Sequence, residues 1–144
     1  MRQNGFTLME MLLVLAITLI ICSISFIPAG SLIVQISERQ SLDQLKIDIM
    51  QLQSIAVLTN QETVLTLDGS KNIYFGVTTD SVQPKLSRKF TETLHFSEKS
   101  EQVFRFSPPY GNINKFKTIV IEGFKKKYAL IFQIGKGRFR IEEI

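Results

Sequence analysis

This chain predicts an α+β fold: one long N-terminal α-helix, its first half transmembrane, packed on an antiparallel β-sheet domain. Three observations carry that reading. Residues Phe6 to Ile27 run for 22 positions with one charge, Glu10, and a few small polar groups, enough to cross a bilayer, which takes about 20 apolar residues. Leu42, Leu45, Ile49, Leu52 and Ala56 then recur at three- and four-residue steps and draw one apolar stripe on a helix. Beyond Asn60 the apolar period changes to two, with turn signals between the runs.

The first element is defined by its one acid. A central Asp in a membrane span costs roughly 2.5–3.5 kcal/mol on insertion scales. Glu10 lies near one end, where the cost is lower, but an ionisable group there is still a functional-site candidate whose partner has to be named. If the chain were cut between Gly5 and Phe6, the new amine of Phe6 would stand four residues before Glu10, on the same helix face. A carboxylate and an ammonium attract strongly in low dielectric, whereas either alone is costly there. In an assembly, Glu10 of an incoming subunit could instead capture the Phe6 amine of its neighbour. Two plainer readings stand beside this one. A secretory signal peptide fits the basic Arg2, but its apolar core is 7–15 residues and its cleavage site small-x-small. The stretch Pro28-Ala29-Gly30-Ser31 matches such a site poorly. A simple anchor fits the length and leaves Glu10 unexplained. The flanks put residues 1–5 in the cytoplasm and the body outside, since Arg2 precedes the span and mixed charges follow it.

Gly5-Phe6-Thr7-Leu8-Met9-Glu10, followed by Met11-Leu12-Leu13-Val14-Leu15-Ala16-Ile17, resembles the class III signal of type IV pilins and type II secretion pseudopilins. The resemblance implies a prepilin peptidase that cleaves after Gly5 and methylates Phe6. It gives Phe6, Thr7, Leu8 and Glu10 a part in filament assembly, and makes Pro28 the kink proline of the stem. The motif covers about 30 residues.

The second element runs from Ser31 to about Thr59. Pro28 removes one backbone hydrogen bond and bends a helix without having to end it. Gln44, Asp48, Gln51 and Gln53 fall largely off the apolar stripe, so the expected structure is one amphipathic helix covering a sheet. The spacing covers too few heptads to identify a coiled coil. The organisation is therefore residues 1–5 as a leader that is removed, 6–30 as the transmembrane and assembly half of the helix, 31–59 as its amphipathic half, and 60–144 as the sheet domain.

Within that domain, Thr63–Leu67 and Ile73–Val77 read as strands joined through the hairpin signal Asp68-Gly69. Residues 78–91 read as a loop. Further strands are expected at Thr93–Phe96, Val103–Ser107, Thr118–Glu122, Tyr128–Ile134 and Arg138–Glu142, with a hard turn at Pro108–Asn112. In the last of them Phe139 and Ile141 should face inward and the charges outward. A single cysteine, Cys22, excludes an intramolecular disulfide, so the domain must stand on packing, with nine of the chain's eleven Phe and all three Tyr as its bulk. The helix, the Gln61–Leu67 strand, the Asp68-Gly69 turn and the late Phe106-Ser-Pro-Pro-Tyr-Gly111 and Gly137–Ile141 segments resemble H-type pseudopilins. The lack of a C-terminal cysteine pair and the short leader are most similar to ComGD-type minor pilins of Gram-positive competence pili.

No enzyme is read here. The lone histidine, His95, sits in a strand pattern facing outward, no structural zinc set is recognisable, and Gly135-Lys136-Gly137 is a turn and not a phosphate loop. No cofactor or metal is implied. Residues 105–144 carry nine basic and three acidic side chains, net +6, while the preceding 104 carry eight and ten, net −2. Lys125, Lys126 and Lys127, with Lys136, Arg138 and Arg140, are therefore candidates for contact with phosphates, although such charges also serve solubility and edge protection. The leading expectation is a minor pilin of a competence-type type IV pilus, partnered by other pilins, the peptidase and the membrane, and working in DNA uptake at the cell surface. The alternatives are a DNA-binding tip subunit and a pseudopilin of a type II secretion system.

Overall fold

A computed structural model describes residues 7–25, 29–81, 83–133 and 137–144. The chain divides into two compact units, Met1–Val34 and Gln35–Ile144. In the first, helix α1 spans Leu8–Ser25. All its residues through Ile24 are exposed. Its hydroxyls turn back onto its own carbonyls: Thr18 Oγ1 donates to Val14 O (3.0 Å) and Leu15 O (2.9 Å), and Ser23 Oγ to Leu19 O (2.8 Å). Its 18 residues reach about 27 Å, against a hydrocarbon core of about 30 Å. Among the described residues no helix is long and apolar enough to cross a membrane. The flanking positions Phe6, Phe26 and Ile27, counted in the predicted span, lie outside the described residues, as does Pro28.

Helix α2, Ala29–Thr59, supplies one wall of the second unit's core. The predicted stripe is the buried one: Leu45, Ile49, Leu52 and Ala56 have no exposed surface and Leu42 almost none. A long helix followed by an antiparallel sheet domain is the fold observed, with strands β1 (Thr63–Asp68), β2 (Ile73–Thr78), β3 (Leu86–Lys89), β4 (His95–Phe96), β5 (Glu101–Ser107), β6 (Asn112–Ile113), β7 (Lys117–Glu122), β8 (Lys127–Phe132) and β9 (Phe139–Glu143). They form two sheets, ordered β3-β2-β1-β5-β6 and β4-β7-β8-β9, every pairing antiparallel. Aromatic rings join the two, with Phe104 of β5 and Phe132 of β8 4.2 Å apart between centroids. Gly76 lets the first sheet approach α2: a Cβ there would stand 2.6 Å from the Leu52 side chain.

Three expectations change. Residues 78–91 are not all loop, because β3 pairs with β2 through Gly76↔Leu86 to Ile73↔Lys89. Its Leu-Ser-Arg-Lys sequence has one apolar residue, too few for a period to show. The β1–β2 ladder ends at Asp68↔Ile73, so Gly69–Asn72 make a four-residue loop, with Asn72 at φ 56° and Asp68 Oδ1 accepting from the Ser70 and Lys71 amides (3.0 and 3.1 Å). Asp48, read as lying off the stripe, is buried. Phe139 and Ile141 do face the core, and His95 is exposed.

Candidate functional site

Of the residues that the N-terminal motif singles out, Thr7, Leu8 and Glu10 are described, while Gly5, Phe6 and Pro28 fall outside the described residues. Thr7 caps α1. Its Oγ1 accepts from the Glu10 amide (3.3 Å), and its carbonyl accepts from the Glu10 and Met11 amides (3.0 and 3.2 Å). Thr7-x-x-Glu10 has the spacing of a capping box. Glu10 therefore occupies the third helical position, where an acid meets the positive end of the helix dipole. That local role needs no second chain and was legible in the spacing of Thr and Glu.

The basic C-terminal residues are exposed but mostly answered. Lys126 Nζ lies 2.8 Å from Glu143, Lys127 Nζ 2.9 Å from Glu122, and Arg140 Nε 3.0 Å from Glu142. The hydrogen bond from Lys127 lowers the Glu122 pKa, and the bond to Glu143 raises that of Lys126. Lys125 stands 5.7 Å from the ring of Phe124. Lys136 lies outside the described residues. Arg138 makes no ion pair among the described residues. The five described cations are thus not one free patch: Lys125 and Lys126 lie on the β7–β8 turn, Lys127 opens β8, and Arg138 and Arg140 belong to the rim of a groove beside α2.

Two buried carboxylates on α2 escaped the sequence reading. Asp48, 1% exposed, accepts from Gln44 Nε2 (2.8 Å), Tyr74 Oη (2.8 Å) and Arg88 Nε (2.6 Å), and so ties helix to β2 and β3. Burial, with Asp48 beside it, pushes the Tyr74 hydroxyl far above its ordinary pKa, and the same carboxylate raises that of Arg88. Glu38, also 1% exposed, accepts from the Phe124 amide (2.7 Å) at the β7–β8 turn. A Cβ on Gly123 would meet Glu38 Oε2 at 2.8 Å, so glycine is what allows this approach. Glu38 stands four residues before Leu42 and continues the buried stripe, which was the available signal. Both carboxylates hold the fold. Among the described residues no three metal-ligating side chains converge.

A family pattern described as a prokaryotic N-terminal methylation motif matches residues 1–26. No curated protein matches the chain in sequence. Among solved structures, the minor pseudopilin EpsH from the Type 2 Secretion System of Vibrio cholerae is similar, with a TM-score of 0.56 and 14% identity over 74% of this chain and 96% of that one. At that identity the likeness is one of fold. The motif match thus concerns the first 26 residues and the structural match the fold alone.

Proposed function

We propose that this chain is a minor structural subunit of a type IV filament, inserted as a precursor, cut after Gly5, methylated on Phe6 and then drawn from the membrane into a bundle of apolar stems. The observation that carries the reading is Glu10 in the first turn of a helix otherwise apolar all round, inside a matched methylation motif. A helix apolar on every side calls for lipid or for other helices around it. The residue 1–5 leader stays cytoplasmic, the stem of residues 6–30 spans the membrane once, and the outer part holds the amphipathic helix and the sheet domain. Neighbouring pilins, with the prepilin peptidase, are its partners. Mass spectrometry of the chain from cells with an active prepilin peptidase tests the processing: a mature start at N-methyl-Phe6 is expected, and an intact Met1 start would overturn it.

The filament we favour is a competence-type pilus serving DNA uptake, supported by the single cysteine, Cys22, which leaves the sheet domain without a disulfide. A secretion pseudopilus is the second reading, favoured by the fold shared with EpsH. Deleting the gene separates them: loss of transformation with intact protein secretion supports the first, and the reverse supports the second.

A further inference from the structure

We propose that the free edge of β9, together with the groove between β9 and α2, takes an extended acidic segment of a partner protein as an added strand. The proposal is independent of N-terminal processing. Sheet order leaves β9 at one end of its sheet. The Gln133 amide donates to Arg138 O and the Ile144 amide to Lys127 O, each at 2.9 Å. Antiparallel alternation then turns Arg138, Arg140, Glu142 and Ile144 toward β8. The N–H and C=O groups of Phe139, Ile141 and Glu143 point to the open side. A row of unpaired backbone groups is a template for another strand. The opposite edge, β4, has two residues, whereas β9 has five, or about 17 Å of strand.

Beside that edge lie two adjoining clefts of about 430 and 480 Å³ that share Lys46, Phe139 and Arg140. Leu42, Tyr128, Phe139 and Ile141 give the first an apolar floor, and Met50 continues it in the second. Such a floor suits the alternate side chains of an added strand.

Charge selects the occupant. The acids of β9 are already answered, Glu142 by Arg140 and Glu143 by Lys126. Arg39 and Lys46 of α2, and Arg138 before β9, make no ion pair among the described residues. The second cleft is lined by Lys46, Arg138 and Arg140 with no acid, while the first also holds Asp43, Glu142 and Glu143. Discrete carboxylates from a peptide fit that mixture, whereas a nucleic-acid backbone would run its phosphates past those three acids. Only a peptide, moreover, can pair with the backbone of β9.

The test uses the full chain in detergent micelles and an eight-residue peptide alternating Asp and Val. Backbone amide exchange is read by NMR. Saturating peptide should slow exchange at Phe139, Ile141 and Glu143 about tenfold or more, with little change at Arg140 and Glu142. Lys46→Glu with Arg138→Glu, both exposed positions, should weaken binding about tenfold. Lys125→Glu, on the β7–β8 turn, should leave it unchanged. No slowing at the three open amides would overturn the proposal, and so would equal protection by the matching Lys and Val peptide. Stronger protection by a single-stranded oligonucleotide of equal length would overturn it in favour of nucleic acid.

Discussion

Helices α1 and α2 draw on the same Leu and Ile but use them in opposite ways. Ile20 of α1 is 61% exposed, whereas Leu45 of α2 has no exposed surface. In α1 apolar residues occupy every direction, and its only acid sits at the capped end. In α2 they form one stripe against the sheets, and two acids, Glu38 and Asp48, are buried beside it with donors from the sheet domain. An acid tolerated inside a packed core is thus one with a fixed set of donors, while the carboxylate of Glu10 in α1 has no such donor among the described residues.

The largest effect that would sharpen this contrast is a paired truncation. Leu45→Ala should lower the stability of the sheet domain by about 2–5 kcal/mol, the usual cost of emptying a core leucine site. Leu13→Ala, in a residue 60% exposed, should leave the same unfolding transition where it was. Urea unfolding of the full chain in detergent, followed by near-ultraviolet circular dichroism, reads both. An equal shift from Leu13→Ala would mean that α1 is packed like α2 and would break the comparison.

The next effect tests the donors. Asp48→Ala leaves the buried Tyr74 hydroxyl without its acceptor and should cost about 1–3 kcal/mol. Glu38→Ala should act more locally, speeding exchange of the Phe124 amide that it now holds. If neither variant changed stability or exchange, the two carboxylates would be passengers.

Legibility in the sequence divides along the same line. The Leu42–Ala56 stripe, the strands with alternating residues and the N-terminal motif could all be read, because each is a local pattern with a period or a fixed spacing. Asp48 could not, since its burial depends on Arg88, forty residues away on a strand whose sequence shows no alternation. Glu38 kept the helical step of the stripe, but charge argued against a core position until the Phe124 amide and Gly123 came into place. The basic residues of the C-terminal quarter looked like one patch because sequence shows charges and not their partners, here Glu122, Glu142 and Glu143.

A smaller effect concerns alkaline pH. Burial, with Asp48 adjacent, raises the Tyr74 pKa in the folded chain, while the unfolded chain keeps a value near 10. Below about pH 10 both states hold the proton and the stabilisation is complete. Above it the unfolded state releases the proton first, and stability should fall by up to about 1.4 kcal/mol per pH unit. Tyr74→Phe should remove that part of the alkaline slope, although it loses the bond to Asp48 at every pH. Parallel slopes for the two proteins between pH 10 and 11 would show that Tyr74 ionises in the folded state as well.

The smallest effect returns to the start of α1. Thr7→Ala removes the hydroxyl that accepts from the Glu10 amide, and cap losses of this kind cost about 1 kcal/mol of helix stability. Because Thr7 is exposed and far in sequence from the core stripe, the cost should appear as faster exchange at Glu10 and Met11, with the unfolding of the sheet domain unchanged. Serine at position 7 should restore protection, since it offers the same acceptor, and valine, which keeps the shape of threonine without its hydroxyl, should not. Rescue by valine would assign the first turn to side-chain packing, and Glu10 would then be held there by something other than the cap.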